Sequence, residues 1–267
     1  MKTALVLGAG GFIGSHISRL LVNLGHKVTI FDNNTRGKFS RINDIRKKVK
    51  FISGDVRNKK KLFNAVKGSN AVIHLAYING TKYFYSKPDL VLDVAVKGLV
   101  NIFDACKKYN IKEIYLASSS EVYQTPAKIP TDEAESLKIP DIMNPRYSYG
   151  GGKILTELMG INFGRKFFKK LIIFRPHNVY GNDMGNEHVI PEFMKRIRRK
   201  NKKNFYIEGT GNEIRSFIHI KDFLNAFKIL LQKGKHLEIY NIGNSEKVRI
   251  IELAEMLKNI IEFLFHE

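Results

Sequence analysis

Tyr149 and Lys153 are the two residues whose spacing most directly suggests acid–base chemistry. Four positions apart, they would lie on one face of a helix, one turn from each other. A phenol normally titrates at about pH 10, but a neighbouring ammonium favours the phenolate and makes it a usable base nearer neutrality. The alternative is a surface helix with an incidental Tyr and Lys. The three glycines between them disfavour it, because each costs about 1 kcal/mol inside a helix.

A hydroxyl and a carboxylate, Ser119 and Glu121, follow the apolar run at 114–117. If that run is a strand of a parallel sheet, both side chains emerge at the carboxyl edge, where open α/β sheets bind ligands. Ser119 is then a candidate partner for a reacting oxygen, and Glu121 a candidate acid–base group. A structural role for Glu121 stays open, because carboxylates at strand ends commonly bind backbone or water.

Short apolar runs that alternate with segments of helical period would position these residues. The runs lie at 4–7, 28–31, 49–52, 71–75, 114–117 and 171–174, and they indicate strands buried on both faces. Helices are predicted at 12–24, 59–66, 89–109 and 149–168. This alternation predicts an α/β protein with a doubly wound parallel sheet and right-handed crossovers.

The pattern loosens after residue 175. A helix is predicted from Pro191, short strands near Phe205 and Ile218, and helices at Lys221 and Ile250. We therefore predict a sheet domain over residues 1–175 and a smaller, mainly substrate-binding lobe over 176–267, from which the chain returns in part to the first domain.

A glycine-rich loop joins the first predicted strand to the first predicted helix. Gly8, Gly11 and Gly14 would let the chain turn tightly, let backbone N–H groups approach a pyrophosphate and let the helix pack on the strand. The second strand ends at Asp32, eighteen residues beyond Gly14, where a carboxylate can accept hydrogen bonds from an adenosine ribose. The sequence therefore predicts a dinucleotide site on a Rossmann domain.

Asp32 favours NAD as the dinucleotide, since its charge would repel the additional phosphate of NADP. Arg36 and Lys38 keep NADP open, because nearby cations could neutralise that phosphate. Asp32 could also be a turn or capping residue, as Asp-Asn-Asn is good turn chemistry. The positive nicotinamide ring of bound NAD would, together with the Lys153 ammonium, stabilise the phenolate form of Tyr149.

These motifs resemble those of the extended short-chain dehydrogenase/reductases, in particular the NAD-dependent epimerase/dehydratase family, from Lys2 to about Leu257. Ser119, Tyr149 and Lys153 match the family's catalytic Ser/Thr, Tyr and Lys. The resemblance implies NAD as cofactor, and it implies contacts to NAD from Gly8, Gly11, Phe12, Ile13, Gly14, Asp32, Asn33, Asp55, Val56, Leu75, Ala76, Tyr77, Tyr149, Lys153 and Pro176.

The resemblance also implies a nucleotide-diphosphate sugar as substrate. The substrate contacts it implies are Ser119, Asn178, His188, Val189 and Arg215, with a guanidinium fork on the diphosphate. Structural roles remain the alternative, such as a loop amide for Asn178. Tyr77 stands where family members commonly have a small residue, which would narrow the pocket. Family members usually continue for several tens of residues beyond the position of Glu267, so the substrate lobe is expected to be incomplete.

The reaction expected from the resemblance is 4-epimerisation through a transient 4-keto sugar, with Tyr149 as base. Removal of the C5 proton would instead lead to a 4,6-dehydratase, and a carboxylate on C5 to a decarboxylase, both using Glu121. Position 120 is Ser where similar dehydratases have an acidic pair, which disfavours dehydration. A non-catalytic NAD-binding protein is the alternative from another class, and the intact Ser119, Tyr149 and Lys153 argue against it.

Composition narrows the partners and the setting. The formal charge of +20 would suit a polyanion, but the lysines are spread along the chain as on solvated faces, so no nucleic acid is expected. No apolar run approaches the roughly 20 residues of a membrane span. Cys106 is the lone cysteine, so no disulfide is expected, and the histidines are too scattered to predict a metal site. The lack of a disulfide framework predicts a cytoplasmic protein. The resemblance implies a homodimer through the helices at 89–109 and 149–168, with an inward-packed monomer as the alternative.

Overall fold

The computed structural model describes residues 2–186, 188–198, 206–207 and 209–265. Its strands are β1 (Thr3–Leu7), β2 (Lys27–Asp32), β3 (Val49–Ser53), β4 (Ala71–His74), β5 (Glu113–Ala117), β6 (Lys170–Pro176), β7 (Asn178–Tyr180), β8 (Ile214–Arg215), β9 (Phe217–His219), β10 (Glu238–Ile242) and β11 (Val248–Arg249). Its helices are α1 (Phe12–Asn23), α2 (Lys59–Val66), α3 (Thr81–Ser86), α4 (Pro88–Lys108), α5 (Ser148–Phe167), α6 (Val189–Ile197), α7 (Ile220–Lys233) and α8 (Ile250–Phe265).

Seven of these strands form one parallel sheet in the order β10-β6-β5-β4-β1-β2-β3. Strand β1 pairs with β2 on one side and β4 on the other, so the winding direction of the chain reverses between β1 and β4. In doubly wound folds a crevice opens at this reversal, beyond the carboxyl ends of the strands. The predicted Rossmann sheet is therefore confirmed, and its ligand crevice lies beside the β1–α1 loop.

Helices pack on both faces of the sheet. Alternate residues of each strand point to opposite faces, so a single strand contributes to the core on each side. In β1, Leu5 and Leu7 join a core cluster with residues of α2 and α4. Ala4 and Val6 join a second cluster with residues of α1 and α7. This two-sided burial explains why the central strands are continuous apolar runs rather than alternating ones.

Strand β3 differs from its sequence-based prediction. It is the edge strand, paired only with β2, and Phe51 is 39% exposed. Its partial cover is the 3-10 segment Phe39–Lys48, where Phe39 meets Phe51 edge to face at 4.4 Å. The prediction of burial on both faces was wrong here, because an edge strand has a neighbour on one side only.

The C-terminal part of the chain contributes to two regions. Helix α7 packs on the large sheet, and β10 extends that sheet beside β6. Helices α6 and α8 pack on each other around a separate apolar cluster of Phe193, Val248, Leu253, Ala254 and Leu257. The strand predicted near Phe205 lies outside the described residues.

No described helix is long and apolar enough to cross a membrane. No three described His, Cys, Asp or Glu residues are grouped closely enough to hold a metal ion.

Candidate active site

The glycine-rich loop between β1 and α1 lines the crevice. Gly8 has a φ of +84°, a conformation that side-chain-bearing residues rarely adopt, and an added Cβ would lie 2.6 Å from the Ala76 backbone nitrogen. The Gly8 N–H donates to the Phe31 carbonyl at 2.9 Å, and the Gly11 N–H donates to the Gly8 carbonyl at 3.1 Å. The loop is thus fixed against the ends of β2 and β4, and a side chain at Gly8 would fill the space.

Asp32, the last residue of β2, lies at one end of the crevice. Its Oδ2 accepts from the Gly10 N–H at 2.9 Å and its Oδ1 from the Asn34 N–H at 2.6 Å. Burial raises the pKa of Asp32, while these two backbone bonds act in the opposite direction. Asp32 therefore does act as a turn residue, as its alternative interpretation had it. It also lines the smaller cavity.

A cavity of about 90 Å³ lies between the ends of β2 and β4. The predicted cofactor residues that line it are Gly8, Gly11, Asp32, Asn33, Asp55, Val56, Leu75, Ala76 and Tyr77. Asn33 Nδ2 donates to Asp55 Oδ2 at 2.9 Å, and Arg57 donates to the same carboxylate at 2.8 Å. The hydrogen bonds from Arg57 hold the pKa of Asp55 below its ordinary value.

A larger cleft of about 450 Å³ continues from the glycine loop to the C-terminal lobe. The predicted residues along it are Gly8, Gly11, Phe12, Ile13, Gly14, Leu75, Tyr77, Ser119, Glu121, Tyr149, Lys153, Pro176, Asn178, His188, Val189 and Arg215. Every predicted cofactor, catalytic and substrate residue lines one or both of these adjoining cavities. The roles of the individual residues stay predictions.

Ser119, Tyr149 and Lys153 converge at the middle of the cleft. The Ser119 side chain lies close enough to the Tyr149 phenol to act on its pKa, and its hydroxyl accepts from the Glu121 N–H at 3.2 Å. Lys153 Nζ donates to the Ala117 carbonyl at 2.7 Å and lies 5.6 Å from the centre of the Tyr149 ring. The three residues singled out in the sequence thus lie together in the cleft, and their catalytic roles stay predictions.

The electrostatics of this group differ from the sequence-based expectation. Burial raises the pKa of Tyr149 well above its ordinary value, the Ser119 side chain opposes that rise, and the charge of Glu121 adds to it. Burial also lowers the pKa of Lys153 to about 7, against the opposing charge of Glu157. The expected lowering of the Tyr149 pKa is thus not found for the protein's own groups, because burial of the phenol is the largest effect on it, and the contribution of the nicotinamide ring stays a prediction.

Several residues of the cleft were missed by sequence reasoning. Helix α3 and the loop before it contribute Asn79, Thr81 and Phe84, and the segment before Tyr149 contributes Arg146. Arg146 Nη2 lies 3.7 Å from Glu121 Oε2, and both residues line the larger cleft. An arginine three positions before a candidate catalytic tyrosine was the available signal for this pair.

The crevice fits a dinucleotide on its own features. The glycine loop and the first turn of α1 line the cleft where a pyrophosphate would bind, and Asp32 and Asn33 line the cavity at one end. Tyr149, Lys153 and Pro176 line the other end of the same crevice. These residues would hold the adenosine half and the nicotinamide half respectively.

Comparisons with known proteins agree with this geometry. A model of the NAD dependent epimerase/dehydratase family matches residues 4–243. A putative UDP-glucose 4-epimerase of Methanocaldococcus jannaschii is 32% identical over 265 residues, which cover 97% of this chain and 82% of that protein. The dTDP-D-glucose 4,6-dehydratase of Dictyostelium discoideum is 27% identical over 272 residues; the match covers 97% of this chain and spans only 62% of that protein's length.

The fold also matches solved structures of this kind. The crystal structure of UDP-glucose 4-epimerase from Thermotoga maritima, with UDP-glucose, superimposes with a TM-score of 0.86 at 25% identity. The superposition covers 98% of this chain and 83% of that one.

Proposed function

Because the chain belongs to the NAD dependent epimerase/dehydratase family, we propose that it is a nucleotide-sugar 4-epimerase that acts through a transient 4-keto sugar. The observation that supports this most strongly is a single cleft that brings Ser119, Tyr149 and Lys153 between the glycine loop and Arg215. NAD is the cofactor of this family, and when bound it would supply the hydride chemistry of the reaction.

Tyr149 is the proposed base at the sugar O4. Its phenolate accepts the O4 proton as the sugar is oxidised, and its phenol returns that proton as the sugar is reduced. Ser119, whose side chain lies beside the phenol, orients the same oxygen. Because burial raises the pKa of Tyr149, the phenolate depends on positive charge nearby, and Lys153 is the protein's own source of that charge.

The nucleotide must stay bound in place while the 4-keto sugar rotates to present its other face. Polar side chains of the C-terminal lobe can hold it. Arg215 is exposed and donates to the Ile214 carbonyl at 2.9 Å. A guanidinium has five donors, so Arg215 can still bind a diphosphate. Asn178 donates to the Ser216 carbonyl at 2.9 Å, and we assign it and Val189 to the nucleotide, with His188 beside them.

Glu121 supports a second candidate function, decarboxylation or 4,6-dehydration. Its carboxylate lines the cleft and its charge acts on Tyr149, so it lies close to the proposed reaction centre. A 4-keto sugar with a carboxylate on C5 can lose carbon dioxide, and loss of the C5 proton to Glu121 would lead to loss of water. We put epimerisation first, because it needs no group beyond Ser119, Tyr149 and Lys153.

The test is to incubate the purified protein and NAD separately with UDP-glucose, UDP-galactose and UDP-glucuronate, and to follow the sugars by NMR. The matched control is Tyr149→Phe, which keeps the ring and removes the proposed base. A C4 epimer from the wild-type protein that is absent with Tyr149→Phe supports the proposal.

Other products would redirect the assignment. A UDP-pentose with carbon dioxide assigns decarboxylation, and a 4-keto-6-deoxy sugar assigns dehydration. No turnover of any of the three sugars by protein that binds NAD would contradict the epimerase proposal for these substrates and favour the non-catalytic alternative.

We also propose a homodimer formed through α4 and α5. Leu92, Val96 and Val100 follow each other at intervals of four on α4, and all three are exposed. Leu158 is an exposed apolar residue on α5, the helix that packs beside α4. A stripe of this kind is typical of a surface that packs on another helix pair. The lone buried Cys106 fits the cytoplasm as the proposed setting.

A further inference from the structure

Tyr77 occupies an unusual position between the two halves of the crevice. It lines both the smaller cavity between the ends of β2 and β4 and the larger cleft. The Lys153 Nζ lies 3.9 Å from the centre of its ring, and the Tyr149 ring meets it edge to face at 5.2 Å. The Tyr77 hydroxyl is buried and has no hydrogen-bond partner among the described residues. Tyr77 is therefore held by its ring contacts.

The surroundings of Lys153 explain why such a contact matters. The ammonium is buried, and a buried ammonium needs partners to remain charged. The titratable groups that face it in the described structure are Tyr149 and Glu157 from α5, His74 from β4, and Tyr77 itself.

Few of these neighbours can stabilise a positive charge. Burial lowers the pKa of His74 to about 3 and raises the pKa of Tyr149, so both are neutral around pH 7. Glu157 carries the opposite charge, but its carboxylate is bound by the guanidinium of Arg175 at 2.6 and 2.8 Å. The face of the Tyr77 ring and the Ala117 carbonyl are the groups in direct contact with the ammonium.

We propose that Tyr77 is a positioning residue for Lys153: the face of its ring stabilises the ammonium form and fixes its direction toward the bound dinucleotide. An aromatic face attracts a cation within about 6 Å, and the attraction is stronger when the pair is desolvated. The proposal rests on the proposed role of Lys153 as a cofactor contact.

The helix that carries Lys153 is shaped around this ring. An added Cβ at Gly152 would collide with the Tyr77 hydroxyl and lie 3.3 Å from Tyr77 Cζ. The residue directly before Lys153 is thus a glycine at the place where the phenol needs room. This complementarity fixes the ring over the ammonium.

The size of the effect follows from the strength of a desolvated cation–π contact. Loss of the ring corresponds to a fall of about one unit in the pKa of Lys153. Since burial has already lowered that pKa to about 7, the ammonium would then be lost through the neutral range. NAD affinity should fall with it, because a neutral amine binds the dinucleotide more weakly.

The test compares NAD binding by calorimetry from pH 5.5 to 9 for the wild-type protein, Tyr77→Leu and Tyr77→Phe. Tyr77→Phe keeps the ring face and removes only the unpartnered hydroxyl, so it is the matched control. We expect the wild-type protein and Tyr77→Phe to lose affinity with the same midpoint near pH 7. Tyr77→Leu should shift that midpoint down by about one pH unit and bind about tenfold more weakly than Tyr77→Phe at pH 8. At pH 5.5 the ratio of their affinities should be several-fold smaller than at pH 8, since any direct contact of the Tyr77 ring with NAD contributes equally at both pH values.

Two results would overturn the proposal. An equal loss of affinity at every pH for Tyr77→Leu would mean that the ring only fills space, and an unchanged midpoint would mean that it does not act on Lys153. If Tyr77→Leu does not fold, Tyr77→Met tests the same point with an unbranched, flexible side chain that adapts to the space left by the ring. Because NAD binding is measured without a sugar, failure of the epimerase proposal leaves this test intact.

Discussion

The guanidinium of Arg175 is paired with the carboxylate of Glu157 directly behind the proposed active site. Nε donates to Oε1 at 2.8 Å and Nη2 donates to Oε2 at 2.6 Å, and both side chains are almost completely buried. The Ser118 hydroxyl donates to the same carboxylate. Glu157 lies one helical turn beyond Lys153 on α5, so the pair joins this helix to β6.

Replacing Arg175 by Met should therefore strongly destabilise the protein. The change leaves the Glu157 carboxylate buried without its partner, which typically costs about 3–5 kcal/mol. Guanidinium denaturation would measure the change in the free energy of unfolding. The control is Lys59→Met, which removes the exposed pair between Lys59 and Asp104 and should cost less than about 1 kcal/mol. Similar losses for the two variants would contradict a buried charge pair that depends on Arg175.

Gly152→Ala should destabilise the protein although alanine is the better helix former. The new methyl group would collide with the Tyr77 hydroxyl and lie 3.1 Å from the Ala95 Cβ, and overpacking of this kind costs about 1–3 kcal/mol. Thermal unfolding should show a lower Tm than that of the wild-type protein.

A neighbouring glycine and a second substitution separate the collision from other effects. At Gly151 a Cβ would meet only the Ile139 side chain, at 3.3 Å, so Gly151→Ala should be neutral or stabilising by up to about 1 kcal/mol. Adding Tyr77→Phe to Gly152→Ala removes the colliding oxygen and should recover part of the Tm. No recovery would show that the Tyr77 hydroxyl is not the cause.

Much of the fold could be predicted because a strand buried on both faces must be a continuous apolar run. The runs of β1, β2, β4, β5 and β6 satisfy this condition, and their positions were predicted to within about two residues. Strand β10 contains Glu238 and Asn241 and lies at the edge of the sheet, so its run is broken. Helix α3 has only six residues, too few for a periodic pattern.

The site was predictable where spacing along one element determines geometry. Tyr149 and Lys153 share a helix face, and Gly8 lies at a strand-to-helix turn, so both features follow from local sequence. The contact of Tyr77 with Lys153 joins two elements that are far apart in sequence, and it depends on packing that no local pattern encodes. The raised pKa of Tyr149 was not predicted for the same reason, since burial is a property of the whole fold.

The proposed dimer predicts that one charge on α4 changes the molecular mass in solution. Val96→Glu places a carboxylate in the middle of the exposed stripe of Leu92, Val96 and Val100, where desolvation in a helix–helix interface would be costly. Sedimentation equilibrium should give a dimer for the wild-type protein and a monomer for Val96→Glu. The control is Ile142→Glu, since Ile142 is exposed on a different segment. A monomeric wild-type protein at micromolar concentration would contradict the dimer.

His74 predicts a specific dependence of stability on pH. The folded protein keeps this buried ring neutral, because burial lowers its pKa to about 3, while the unfolded chain takes up a proton below about pH 6.5. The unfolded state therefore binds one more proton than the folded state between these values, and stability falls as the pH is lowered. The loss from His74 alone between pH 6 and pH 5 is about 1 kcal/mol.

The comparison of the wild-type protein with His74→Leu isolates this contribution. Other titrating groups are common to both proteins, so the difference between their free energies of unfolding should change by about 1 kcal/mol in favour of His74→Leu from pH 6 to pH 5. Between pH 7 and pH 8 the same difference should stay nearly constant, since His74 is then neutral in both states. Urea denaturation at each pH provides the measurement. A difference that stays constant down to pH 5 would mean that His74 accepts a proton in the folded protein. Its burial beside the Lys153 ammonium, whose charge also lowers the His74 pKa, argues for the opposite result.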